Sequence, residues 1–113
     1  MSKSNAVFKA PPLEVEADLK RLGANLRTAR LARNLSLEHV AARLGVGRRA
    51  VATAECGKPG TAIGIYWGLL WMYGLLAQAI PLADPGSDEV VRRNIAARQR
   101  AHPSRKGALD NDF

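Results

Sequence analysis

The segment from Ser36 to Gly57 constrains this chain more than any other, because it holds two short helix patterns separated by a link of only three residues. Ser36 suits an N-cap, and Val40, Ala41 and Leu44 then recur at helical spacing until Gly45, a residue fitted to the left-handed turn that ends a helix. After Val46 and Gly47 a second pattern starts at once and runs from Arg48 to about Cys56. Val51 and Ala54 face inward on it, while Arg48, Arg49, Ala52 and Thr53 face outward. So short a link keeps the two helices at close range. Ala41 lies where they meet, and a larger side chain there would hold them apart. Gly57, Lys58, Pro59 and Gly60 end the second helix.

The flanking sequence predicts further helices and no strand. Met1 to Pro12 mixes Ser, Asn and Lys and closes on two prolines, which reads as an extended arm. Glu14, Glu16 and Asp18 suit the positive end of a helix dipole, and Leu19, Leu22, Leu26 and Ala29 continue an amphipathic helix from about Leu13 to Arg33. Asn34, tolerant of the left-handed conformation, stands where that helix should stop. From Thr61 to Ala83 no residue is charged, and eleven of those between Ile63 and Leu76 are large and apolar. Gly64, Gly68, Gly74, Gln78 and Pro81 interrupt the run, so a membrane span is rejected. A helix capped by Thr61 and reaching Tyr73, then a short helix over Leu75 to Ile80, fits better. A helix apolar on every side is too greasy for the edge of a small monomer, so part of it is expected against a second subunit. After the break at Asp84 to Ser87, either Asp88 or Ser87 caps a last helix through Val90, Val91, Ile95 and Ala96 to about Gln99. His102 to Phe113 has no periodicity and reads as a mobile tail. The expected layout is an arm over residues 1–12, a helical domain over 13–83, and a C-terminal basic helix with tail over 84–113.

Charge is distributed unevenly along this layout. The net charge of +7 hides a block, residues 19–58, with nine Lys or Arg against two acids, whereas residues 59–83 carry none. Clustered cations of this kind gain entropy by releasing counterions condensed on a polyanion, which points to nucleic acid; a merely solvated basic face remains the alternative. The one cysteine, Cys56, cannot form an internal disulfide, and no secretory pattern opens the chain, so a reducing cytoplasm is the expected compartment. Cys56 reads as a buried or half-buried inert thiol, and His39 and His102 have no second ligand at metal spacing. No nucleophile triad, paired-carboxylate site or phosphate-binding glycine loop is present, so no enzyme, cofactor or metal site is expected.

The run Leu35-Ser-Leu-Glu-His-Val-Ala-Ala-Arg-Leu-Gly-Val-Gly-Arg-Arg-Ala-Val-Ala-Thr-Ala-Glu55, with Gly57 and the preceding Leu22-Gly-Ala-Asn-Leu-Arg-Thr-Ala-Arg30, resembles the Xre-type family of Cro-like and phage-repressor-like helix-turn-helix DNA-binding domains. The resemblance covers roughly residues 19–80. It implies an all-α fold, a five-helix lambda-repressor-like bundle, here with an N-terminal arm and an extra C-terminal helix and tail. It also implies that Arg30 pairs with Glu55, as two opposite charges on otherwise apolar faces require. The family places the start of the third helix in the major groove, which makes Arg48, Arg49, Ala52 and Thr53 the base-reading positions. Adjacent helical side chains diverge by about 100°, so the two arginines are not both assigned to bases, and a phosphate is the alternative contact for one of them. Arg43, Lys58 and the backbone N–H groups around Ser36 and Leu37 are the phosphate candidates. Two departures stand out: Leu37 replaces the Gln common at the start of helix two, and Gly47 with Ala50, Ala52 and Ala54 leaves few side chains to read bases. Either shape readout or assistance from a partner is then expected to carry more of the selectivity.

The implied function is a cytoplasmic, nucleoid-associated transcriptional repressor that binds a palindromic operator as a homodimer, with Tyr66, Trp67, Leu70, Trp71 and Leu75 at the dimer interface. The stretch from Lys58 to Ala77, with Ala83-Asp-Pro and the basic C-terminal segment, looks like small antitoxins of the HipB-like branch encoded beside HipA-like kinase toxins. That implies autoregulation of a toxin-antitoxin operon and a toxin partner. The competing expectation is a protein-protein interaction module that uses the same scaffold without touching DNA.

Overall fold

Four helix endings shape the first part of the chain. The computed structural model describes residues 9–101 and is all-α, with five α-helices, two 3-10 turns and no strand among the described residues. The first four helices are α1 (Leu13–Ala32), α2 (Leu37–Leu44), α3 (Arg48–Glu55) and α4 (Ile63–Met72). Each is closed by a residue at positive φ: Asn34 (57°), Gly45 (71°), Gly57 (70°) and Gly74 (75°). The N–H of the following residue then bonds back into the last turn, Leu35 to the Arg30 carbonyl, Val46 to Ala41, Lys58 to Thr53 and Leu75 to Leu70. The same closure used four times satisfies carbonyls that a helix end leaves without partners, and it reverses the chain in a few residues. Ser36 caps α2 by accepting from the His39 N–H at 3.0 Å.

These reversals wrap three helices around α3. Helix α3 packs against α1, α2 and α4, and α4 also touches α2. The core is Leu26 from α1, Val40 and Ala41 from α2, Val51 and Ala54 from α3, and Tyr66, Leu69 and Leu70 from α4, with Tyr73 just beyond it. Full burial of one such aliphatic or aromatic side chain is worth about 1.5–3 kcal/mol, so this small set supplies most of the unit's cohesion. Helices α1 and α3 approach backbone to backbone. A Cβ on Gly23 would lie 2.6 Å from the Glu55 carbonyl oxygen, and one on Gly57 would lie 2.6 Å from the Lys20 Cα.

Two expectations about the uncharged run need correction. Helix α4 begins after Ala62, and Thr61 provides no cap; its hydroxyl is buried with no hydrogen-bond partner among the described residues. The short helix expected over Leu75–Ile80 is a single 3-10 turn, Leu76–Ala79. Pro81 has no N–H to continue it, and so short a segment cannot recover the cost of nucleating an α-helix.

The chain divides into two compact units, the first ending at Ala77 and the second beginning at Gln78. The second holds a 3-10 turn, Pro85–Ser87, and α5, Glu89–Ala101. Asp88 caps α5, its carboxylate accepting from the N–H groups of Val90 (3.0 Å) and Val91 (3.3 Å). Helix α5 packs on the Pro85–Ser87 turn and has no buried residue. No helix among the described residues is long and apolar enough to cross a membrane. Most of the expected arm, residues 1–8, and the expected tail, His102 to Phe113, lie outside the described residues.

Candidate functional site

The three-residue turn between α2 and α3 puts one face of α3 into the core and leaves its first turn outside. Val51 and Ala54 are buried, Arg48 and Arg49 are exposed, and Ala52 and Thr53 are half-buried at the edge of the same outer face. The four expected reading positions therefore form one continuous strip. Thr53 is partly committed, since its hydroxyl donates to the Arg49 carbonyl at 2.7 Å. The strip then presents two guanidinium groups and small apolar surface. Arg43, in the last turn of α2, and Lys58, just past α3, are exposed; Ser36 is exposed and Leu37 is half-buried at the start of α2. The first N–H groups of α2 and α3 have no carbonyl one turn back, and Gly47 offers α3 no side-chain cap, so both helix starts keep donors for an anion.

One partner of this strip has no signal in the sequence. Arg48 Nε lies 2.9 Å from the Glu38 carboxylate, joining the starts of α3 and α2, with side chains 63% and 68% exposed. Ten residues and a reversal separate the two, a spacing that no helical period marks.

At the other end of α3, Arg30 ties the bundle together. It is 7% exposed, and its guanidinium donates to both Glu55 oxygens, from Nε at 2.7 Å and Nη2 at 3.0 Å, and from Nη1 to the Leu35 carbonyl at 2.9 Å. The fork thus ties α1 to the end of α3 and to the link before α2. Hydrogen bonding to the Glu55 carboxylate raises the Arg30 pKa above its usual range, against the opposing effect of burial. Arg33 plays a second tying role that the spacing does not reveal: it donates to the Tyr73 carbonyl at 2.9 Å and lies 5.3 Å from the centre of the Tyr73 ring.

Burial pushes the Tyr73 phenol above its ordinary value of 10.0; the Glu55 charge adds to this, while Arg30 and Arg33 oppose it. Its hydroxyl is buried without a partner among the described residues. A raised folded-state pKa contributes stability below the unfolded value and loses it as pH climbs through the folded one. Tyr73→Phe is therefore expected to keep the melting temperature or raise it by a few degrees at neutral pH, and to soften the loss of stability above about pH 10. Thermal melts followed by circular dichroism at two pH values check this; a clear drop at neutral pH would show that the hydroxyl has a use.

The residues expected at a dimer face divide sharply. Tyr66 and Leu70 are buried in the core of the first unit, because α4 turns them toward α2 and α3; Trp67 and Leu75 are half-buried; Trp71 is 59% exposed. Cys56 is exposed, contrary to expectation, because two steps along the helix carry it about 200° away from buried Ala54. No group of three His, Cys, Asp or Glu among the described residues is placed to hold a metal ion. No protein-family model, no curated protein and no solved structure matches the chain.

Proposed function

We propose that this chain is a sequence-specific DNA-binding repressor of the helix-turn-helix, Xre-like kind. The observation that carries it is the exposed first turn of α3, with Arg48 and Arg49 standing outside a helix pair whose other face is core. A helix so presented fits a major groove about 12 Å wide, and Arg is the commonest bidentate reader of guanine O6 and N7. The strip lies within the basic block of residues 19–58 of the sequence, and exposed Arg43 and Lys58, with the N–H groups of Leu37 and Glu38 at the start of α2, are suited to phosphates. Bound across a promoter, such a protein represses by occupying the duplex. A homodimer on a palindrome accounts for exposed Trp71 and Ile63 on a helix that carries no charge.

Gel shifts with the duplex upstream of its own gene test the proposal. Arg49→Ala is expected to weaken binding by about tenfold, and wild-type affinity to fall steeply with salt, by a log-log slope of about 0.9 per phosphate neutralised. Equal binding by variant and wild type, or indifference to salt, would remove α3 from the role given to it.

A second reading has its own support. Helix α5 carries Val90 exposed and Val91 and Ile95 half-buried with no core beneath them, on a helix that also bears Arg92, Arg93, Arg98 and Arg100. An apolar stripe without a core is what a protein partner covers, which is consistent with an antitoxin that also engages a HipA-like toxin, or with an interaction module that has no DNA role. Co-purification with the product of the adjacent gene separates the antitoxin from a free-standing repressor.

A further inference from the structure

Within residues 19–58, the basic block, there are only two acids, Glu38 and Glu55. Glu55 is taken up in the interior by Arg30, so Glu38 is the acid left on the exposed surface of the block. Its place beside the strip is unfavourable for binding a polyanion as such, because a carboxylate there repels every phosphate that approaches. Its contact with Arg48 gives it a different use. The closest approach is at Nε, and a guanidinium held by that edge still has its two terminal amino groups, the pair that matches guanine O6 and N7.

We propose that Glu38 is the specificity-determining residue of this surface: it positions Arg48 for a guanine and sets a penalty on binding wherever that guanine is missing. The inference rests on the DNA-binding proposal and deepens it. An Arg48 drawn toward Glu38 has less freedom left to lose when it meets a base, and an arginine already paired with a carboxylate is a poor clamp for a phosphate. Discrimination between right and wrong sites then comes from an unfavourable element as well as a favourable one. A pair exposed at 63% and 68% adds little to folding, so its loss registers in binding.

The test is selection from a random-sequence duplex pool through the full chain, at one salt concentration, with wild type, Glu38→Gln and Arg48→Ala. Wild type is expected to enrich a motif containing a guanine that Arg48→Ala no longer selects. Glu38→Gln is expected to retain several-fold more of the unselected pool, to lose preference for that same guanine by about tenfold, and to melt within a degree or two of wild type. An unchanged motif with Glu38→Gln, or a loss at a different base pair from the one that Arg48→Ala loses, overturns the role of Glu38 and leaves DNA binding standing. A wild-type protein that enriches no motif overturns both.

Discussion

Gly57→Ala is expected to lower the unfolding free energy by about 4 kcal/mol, a large share of what keeps a small domain folded. The position is held at a φ of 70°, which costs an L-residue about 1 kcal/mol, and a Cβ there would press into the backbone of Leu19 and Lys20, where no side chain can rotate aside. Separating α1 from α3 to make room gives up packing around Leu26, Val51 and Ala54, so a total of about 4 kcal/mol is expected against a stability of roughly 5–15 kcal/mol for a domain. Two companion variants separate the causes. Gly45→Ala has the same left-handed backbone, at 71°, with nothing within 4 Å of the new methyl group, and is expected to cost only about 1 kcal/mol. Gly23→Ala meets the Glu55 and Ala54 carbonyl oxygens at 2.6 and 2.7 Å with no unusual φ, and isolates the collision. Urea melts of the three would contradict the close approach of α1 and α3 if all lost the same stability.

Arg30→Ala is expected to cost about 3–5 kcal/mol, because it strands the Glu55 carboxylate and also leaves the Leu35 carbonyl without the donor at 2.9 Å. Replacing both charges, Arg30→Met with Glu55→Leu, is expected to return much of that loss, since an apolar pair of similar size avoids burying ions. Denaturant midpoints for the single and double variants form the measurement. A double variant no more stable than Arg30→Ala would mean that the guanidinium acts chiefly through the Leu35 carbonyl. Because Arg30 is tied to Glu55 at the end of α3, the single variant is also expected to lose the proposed DNA binding, whereas Arg49→Ala is expected to weaken it about tenfold and keep its melting temperature.

How much of this was legible in the chain depends on how local each cause is. The helix ends at Asn34, Gly45, Gly57 and Gly74 and the cap at Ser36 are decided within a few residues, and reading along the sequence finds them. The exposure of Arg48 and Arg49 follows from helical period once Val51 and Ala54 point inward. Helix α4 is different: a segment apolar all round has no periodic contrast, so nothing in its pattern says that Tyr66 and Leu70 go inside while Trp71 stays out. The partners of Arg33 and Arg48 were hidden for another reason. Tyr73 lies forty residues from Arg33, and Glu38 reaches Arg48 only across a reversal, so both contacts exist by virtue of the fold.

The four matching helix closures also separate two kinds of change that a lineage can make. They are set by Asn34 and three glycines, and the outward side chains of α3 contribute nothing to them. Exchange of the exposed Arg48 or Arg49 therefore alters the chemistry that the strip presents while leaving the frame that holds it, within about 0.5 kcal/mol for ordinary surface substitutions. Change in the strip and persistence of the frame are thus separable, one residue at a time.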